Sequence, residues 1–312
     1  MNSKVLIICG PTASGKTDAA VRVAKIIGGE VISADSMQLY REMNIGTAKP
    51  TEEEKQGVKH YMIDTVDITE NYSAADYKDE CYRLCRDILS RGKTPIIAGG
   101  TGQYISAVVE NLTYGDIPHD AELREALTRG AAEKGGEYMK SVLAQFDRES
   151  AERLHENDIR RIVRAIEIYK LTGITQTEFN RRSKENPPPY DFVITGLKFE
   201  DRALLYERID KRVDLMMSNG LLEEAERIYG LSPSKTAAQA IGYKELFDYF
   251  EGKCTLFEAV DKIKQESRRY AKRQLTWFNH VEGINWFYPD KSAAEDIARE
   301  IASLMESKET NV

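Results

Sequence analysis

The sequence has no long apolar run. Its longest hydrophobic stretches are strand-sized, so none is expected to span a membrane. No charged segment, extended hydrophobic stretch and small-residue cleavage site precede the first strand-like run, which argues against export and leads to the expectation of a cytoplasmic protein. Cysteine is scarce: Cys9, Cys81, Cys85 and Cys254 are too few and too scattered for a disulfide framework in 312 residues. Cys81 and Cys85 lie one helical turn apart, but without a Cys-x-x-Cys or a nearby His pair they read as small buried hydrophobes and not as zinc ligands. There is no internal repeat and no low-complexity tract. Positive charge is in deficit, with a formal net charge of −7. Such a balance argues against a nucleic-acid partner only if charge is spread evenly, because local stripes decide that binding.

What is present is a globular composition, 41% hydrophobic and 30% charged, at a length that suggests about two structural units on a prior of roughly 100–200 residues per domain. The most informative stretch is Gly10-Pro11-Thr12-Ala13-Ser14-Gly15-Lys16-Thr17, between the apolar run Val5-Leu6-Ile7-Ile8-Cys9 and a helical segment that starts at Asp18. It fits G-x-x-x-x-G-K-[ST] in full, in the strand-loop-helix context that the motif needs. The glycines let the backbone curl so that several N–H groups share one concavity, and the helix adds its positive end there. Such a loop is a diphosphate cradle. Lys16 supplies a mobile charge for the outer phosphate, and the Thr17 hydroxyl is placed to ligate Mg2+.

Further along, a strand over 30–34 ends on Asp35-Ser36-Met37-Gln38, and ligands of a parallel α/β sheet gather at such strand ends. Asp35 therefore falls beside the phosphate loop, as a turn carboxylate or as a functional acid; position alone leaves both open. After loop material with a short strand at 60–63, a helix is expected over 72–91, closed by Gly92. The next strand, 94–98, ends on Gly99-Gly100-Thr101-Gly102-Gln103-Tyr104, where an ordinary P-loop nucleotidase carries an Asp for magnesium. This second glycine-rich loop looks built for close approach of a backbone or ligand. Three charge-rich helices then follow, over 120–134, 137–146 and 158–171. In the last, Ile159, Ile162, Val163 and Ile166 form an apolar stripe, while Arg160, Arg161 and Arg164 lie off it, either in ion pairs with Glu156 and Glu167 or as phosphate contacts.

Asn186-Pro187-Pro188-Pro189 is a stiff connector, and a strand over 192–197 is expected to rejoin the sheet, so the helical unit is inserted. Arg208 and Arg212 share one face of a helix over 204–217, within reach of a diphosphate or merely solvated. A helix over 257–278 carries Lys262, Lys264, Arg268, Arg269, Lys272 and Arg273 against Glu266 alone. With Tyr270, Trp277 and Phe278 it resembles a nucleic-acid face on an acidic protein.

The phosphate loop at 10–17, Ser33-Ala34-Asp35-Ser36-Met37-Gln38, Asn44-Ile45-Gly46-Thr47-Ala48-Lys49-Pro50, the loop at 99–104, the segments 160–167 and 239–245, and 270–278 are similar to the bacterial tRNA dimethylallyltransferase (tRNA isopentenyltransferase) family. The resemblance runs from the N-terminus to about residue 287, and blocks in this order are specific where the phosphate loop alone is not. Eukaryotic relatives add a C-terminal zinc finger whose ligand set is missing here, and the acidic tail matches nothing in the family. The implied fold is α/β, a P-loop NTPase-like parallel sheet flanked by helices with an inserted all-helical domain. The expected division is a core of 1–117 and 190–290, an insert of 118–189, and an acidic C-terminal helix or tail of 291–312.

The resemblance implies transfer of a dimethylallyl group from dimethylallyl diphosphate to N6 of the tRNA adenine immediately 3′ of the anticodon. Gly10, Pro11, Thr12, Ala13, Ser14, Gly15, Lys16 and Thr17, with Arg208, would hold the diphosphate as leaving group, with Mg2+ on Thr17. Asp35 would be the general base, in a catalytic set with Lys16, Thr17 and Thr101. Contacts with the tRNA anticodon stem-loop are expected from Asp35, Ser36, Met37, Gln38, Thr101, Gln103, Arg124, Arg160, Arg161, Ile162, Val163, Arg164, Arg273 and Gln274. A monomer with no membrane partner is expected. Three other readings share parts of this pattern. A small-molecule kinase needs only the first motif, an adenylate isopentenyltransferase would lack the inserted arginines and the Arg273-Gln274 block, and a non-catalytic RNA-binding module leaves Lys16, Thr17 and Asp35 without a task.

Overall fold

A computed structural model describes residues 3–114 and 120–306. The chain first lays down β1 (Lys4–Cys9), α1 (Lys16–Ile27), β2 (Gly29–Ser33), the single turn α2 (Glu52–Lys55), β3 (His60–Tyr61), α3 (Ala74–Ser90), β4 (Thr94–Gly99) and α4 (Gly102–Val109). Four helices follow: α5 (Ala121–Ala144), α6 (Arg148–Arg153), α7 (Ile159–Thr172) and α8 (Gln176–Ser183). The remainder is β5 (Asp191–Leu197), α9 (Arg202–Ser218), α10 (Leu221–Gly230), a 3-10 turn at Ala237–Gln239, α11 (Lys244–Phe250), α12 (Leu256–Phe278), β6 (Asn285–Phe287) and α13 (Ala294–Glu306). No described helix is long and apolar enough to cross a membrane.

Two compact units result, one of residues 1–109 with 189–312 and one of 110–188. The cuts fall after Val109, at the end of α4, and after Pro188, within the proline connector, and residues 291–306 belong to the first unit. α13 packs beside α1, because Ile297, Ala298 and Ile301 complete the apolar cluster that Ala20, Val23 and Ala24 of α1 build against Leu6, Ile8, Val31 and Ile96 of the sheet. Each fully buried Ile in that face contributes about 1.5–3 kcal/mol. The acidic residues that made this stretch look like a tail line its other side.

All six strands of the first unit are parallel, in the order β3-β2-β4-β1-β5-β6. β1 thus lies centrally and is apolar and buried from Val5 to Cys9, as a strand covered on both faces must be. The register pairs Cys9 with both Gly99 and Gly196, and Ser33 with Ala98, so β1, β2, β4 and β5 end at one level. The loops after β1, β2 and β4 share that edge.

The second unit has its own core, formed by Ala131, Met139, Leu143, Leu154, Ile162, Val163 and Ile166 among others. Expected as two helices, 120–134 and 137–146 are joined in α5 across a break at Gly135, whose φ of 80° and ψ of 166° are not helical. The break has a steric partner: a Cβ on Gly136 would lie 1.9 Å from the Glu156 carbonyl oxygen. Helices α6 and α8, each of eight residues or fewer, were too short to show a periodic pattern.

Candidate functional site

The loop after β1 is bent by two glycines. Gly10 has φ 143° and passes so close to β5 that a Cβ would lie 2.3 Å from the Leu197 carbonyl oxygen; Gly15, at φ 92°, caps α1 in the left-handed region. Ala13 also has positive φ, 62°. Ser14 is fully buried and its hydroxyl has no partner among the described residues. Lys16 donates to the Pro11 carbonyl at 2.6 Å. Two arginines of α9 reach the same loop, Arg208 donating to the Ala13 carbonyl at 3.0 Å and Arg212 to the Thr12 hydroxyl at 3.3 Å. Burial, then repulsion from Arg212, lowers the Lys16 amine to about 8, against attraction from Asp35 and Cys9. Arg212 is also lowered, chiefly by burial, with Asp35 pulling the other way. Cations held together in this way create a demand for an anion. Burial pushes the Cys9 thiol up to about 12, so it is an inert hydrophobe below the loop. Thr17 is exposed on the first turn of α1, and no cluster of three or more His, Cys, Asp or Glu able to hold a metal exists among the described residues.

Asp35 follows β2. Its Oδ1 accepts from the Met37 and Gln38 N–H groups at 2.9 and 3.3 Å, so it does cap the turn, yet it also lines a cavity. The Thr101 hydroxyl accepts from the Ser36 N–H at 3.0 Å, and the Thr101 N–H donates to the Ala34 carbonyl at 3.0 Å, stitching the ends of β2 and β4 together. The second glycine-rich loop is built for close approach, and its occupants are protein. A Cβ on Gly99 would lie 2.2 Å from the Ala34 carbonyl oxygen, one on Gly100 2.2 Å from Gln274 Nε2, and one on Gly102 2.5 Å from the Trp277 ring. Gln274 is nearly buried; it donates to the Gly100 carbonyl at 2.9 Å and accepts from the Thr12 N–H at 2.8 Å. Its amide clamps both loops to α12. Gln38 is similarly engaged, donating to the Thr47 and Ala48 carbonyls at 3.2 and 3.1 Å.

The cavity has a volume of about 280 Å³. Thr12, Asp35, Arg212 and Arg273 give it a polar side, while Ile209, Val213, Met216, Ile241 and Ile263 give it an apolar one. No spacing in the sequence joined α9, the 239–242 segment and α12 around one space. Arg273 is exposed at the rim, its guanidinium 5.7 Å from the Tyr270 ring centroid. The rest of the basic stripe is more neutral than its local sequence suggested. Lys264 pairs with Asp214 and Arg268 with Asp210, both at 2.5 Å, and Glu266 serves Arg269 at 2.6 Å and Lys262 at 3.7 Å. The acids of α9 lie far away in sequence, 58 positions for Asp210 and Arg268, and could not be matched to the stripe by spacing. Lys272 and Arg273 are left exposed. Gln103 and, on the edge of α9, Arg208 are exposed too, whereas Ser36, Met37 and Thr101 are half-buried.

In the helical unit the expected tRNA residues divide. Ile162 and Val163 lie in the core, so their side chains are closed to a ligand. Glu167 is fully buried and accepts from Arg124 at 2.7 Å and from Arg164 at 2.8 Å. Burial pushes the Glu167 carboxyl up, but the two arginines outweigh it and hold the group below its ordinary value. Arg124 and Arg164 are therefore ion-paired while keeping part of their surface in water. Arg161 lies 3.9 Å from Asp158 and, like Arg160, is exposed.

Comparison with known proteins returns one family. The family model described as IPP transferase matches residues 38–281. A tRNA dimethylallyltransferase of Acetivibrio thermocellus is 47% identical over 94% of this chain and 94% of its own length, and one of Bacillus cereus (strain AH187) is 46% identical over 99% and 97%. Among solved structures, the full-length tRNA isopentenylpyrophosphate transferase from Bacillus halodurans superposes with a TM-score of 0.73 at 42% identity, covering 97% of both chains. A eukaryotic dimethylallyltransferase acting on tRNA superposes with a TM-score of 0.82 at 27% identity, covering 99% of this chain and 81% of the other.

Proposed function

The chain belongs to the IPP transferase family, and from that premise we propose that it transfers a dimethylallyl group from dimethylallyl diphosphate to N6 of the tRNA adenine immediately 3′ of the anticodon. The observation that carries this reading is that one cavity joins a carboxylate, Asp35, a cation, Arg212, the Thr12 end of the phosphate loop and an apolar wall. A plain phosphate site has no use for that apolar wall, and an allyl group does.

In the reaction the diphosphate lies against the N–H groups of 10–17, and Lys16 and Arg212 take up its charge. The five-carbon chain faces Ile209, Val213 and Ile263. The adenine leaves its stack to bring N6 to Asp35, since chemistry on a base requires it to be extruded. The bond from N6 to the allylic carbon forms, the carbon–oxygen bond to the diphosphate breaks with its electron pair, and the N6 proton passes to Asp35. Met37 and Gln38 hold Asp35 Oδ1, which leaves Oδ2 to accept that proton. An allylic carbon tolerates cationic character, so stabilising the departing oxygens is a large part of the catalysis.

The donors present fit Mg2+. An exposed Thr17 hydroxyl on the first turn of α1, at the end of the phosphate loop, suits an ion that keeps several waters and takes its other ligands from phosphate. When bound, the ion would neutralise charge on the leaving diphosphate. Arg273 at the cavity, the neighbouring Lys272, and Arg160 and Arg161 in the helical unit are exposed cations that would meet the tRNA backbone.

Incubating the protein with magnesium, labelled dimethylallyl diphosphate and unmodified tRNA, with AMP and ATP as competitors, tests the reading. Label is expected in tRNA alone. Label in AMP would favour a free-nucleotide prenyltransferase, phosphoryl transfer from ATP a kinase, and tRNA binding without any label a non-catalytic module.

A further inference from the structure

Two walls of the cavity, Gly46–Thr47 and the 239–242 segment, come from distant parts of the chain. Both are tied to one buried carboxylate, Glu224 of α10, the first directly at Gly46 and the second through Tyr243, which follows it in the chain. It accepts from the N–H groups of Asn44 at 3.0 Å, Ile45 at 2.9 Å and Gly46 at 3.0 Å, and from the Tyr243 hydroxyl at 2.6 Å. Three successive N–H groups turned inward make an anion-binding concavity, and here the anion belongs to the chain itself. The joint is closed on its other side, because the fully buried Tyr243 ring takes the space of a Cβ on Gly46, which would lie 2.5 Å from it.

The path continues towards the site. From Gly46 the chain runs to Thr47 and Ala48, whose carbonyls accept from the Gln38 amide. The Gln38 backbone N–H in turn is one of two that hold Asp35 Oδ1. A hydrogen-bonded route therefore leads from Glu224 to Asp35 through residues 44–48 and includes no residue of the phosphate loop. A carboxylate placed only for stability would have no reason to end its contacts on the cavity wall beside the base.

We propose that Glu224, clasped by Tyr243, is a positioning residue for prenyl transfer: it fixes the 44–48 loop and, through Gln38, the carboxylate of Asp35, without touching substrate. The proposal rests on Asp35 being the base, as argued above. Glu224→Gln removes the charge that three N–H groups share, and Tyr243→Phe removes one hydrogen bond with almost no change of volume. In single-turnover measurements the transfer rate is expected to fall up to about 10²-fold in Glu224→Gln and about 10-fold in Tyr243→Phe, the range for misplacing a reacting group by about 1 Å. The KM for dimethylallyl diphosphate is expected to stay within about 2-fold, since that ligand's cradle lies off the path. Amide hydrogen exchange at 44–48 should accelerate in both variants.

The deciding measurement is a cycle with Asp35→Ala. If Glu224 acts through Asp35, adding Glu224→Gln or Tyr243→Phe to Asp35→Ala costs nothing further. An equal fold-loss in both backgrounds overturns the proposal, as does faster exchange at 44–48 with an unchanged rate. Should Glu224→Gln fail to fold, Tyr243→Phe carries the same cycle. Wild-type protein that puts no label into tRNA would refute the functional reading instead, so the two failures are distinguishable.

Discussion

Lys16 and Arg212 are cations that burial holds at one loop, and the cost falls on Lys16, whose amine is lowered from 10.5 to about 8. Below about 8 the folded protein carries the charge at a cost; between about 8 and 10.5 the unfolded chain binds the extra proton, so stability from this group rises with pH. Diphosphate binding has the opposite need. It requires the charged amine, so kcat/KM for dimethylallyl diphosphate is expected to decline as pH rises above about 8, by up to about tenfold per unit. Lys16→Arg keeps its charge through this range and should flatten the limb in a pH–rate profile; an unchanged limb would assign it to another group. Asp35 offers a second test. Asp35→Ala is expected to lower turnover by about 10²-fold or more with tRNA affinity nearly intact, and unchanged turnover would reduce it to the turn cap that its bonds to Met37 and Gln38 already show. The phosphate loop and Asp35 were legible in the sequence because each depends on neighbours within a few positions. The joints made by Glu224 and Gln274 were not, since the N–H groups that Glu224 holds lie 178–180 positions away, and the loops that Gln274 clamps lie 262 and 174 away.

Among the elements, α12 shows how far a periodic pattern can be read. Its length and amphipathic character follow from spacing, and its capping box at Thr255 and Glu258 from local sequence. Its charge does not, because Asp210 and Asp214 of α9 neutralise part of the stripe. The loop over 99–102 taught a related lesson: glycine marked a close approach, and only the fold shows that Ala34, Gln274 and Trp277 are what approaches. α13 was expected as an acidic C-terminal helix or tail; it is a helix, and its Ile301 is fully buried. Ile301→Ala is expected to cost about 2–5 kcal/mol, the range for emptying a packed aliphatic site. Urea unfolding followed by tryptophan fluorescence would measure it, and a change below about 0.5 kcal/mol, the usual size of a surface substitution, would mean that α13 lies loosely on the sheet.

At the scale of the whole molecule the net charge of −7 sets a repulsive background for any polyanion. Binding to tRNA must then rest on local groups of exposed cations such as Lys272 and Arg273. Arg273→Gln is expected to weaken tRNA binding and to reduce the slope of log affinity against log salt by about 0.7–0.9, the contribution of one phosphate contact; an identical slope in a filter-binding titration would place Arg273 outside the interface. The order of the elements has one more consequence. β1 is made long before α13, and Lys4 ends up bonded to the Met305 carbonyl 301 positions away. While the chain is still being synthesised, Ala20, Val23 and Ala24 of α1 have no cover on that flank until α13 clears the ribosome. A nascent chain halted after β6 would carry a finished phosphate loop on an unfinished sheet face, and that bare apolar strip is what a chaperone or a quality-control protease would meet.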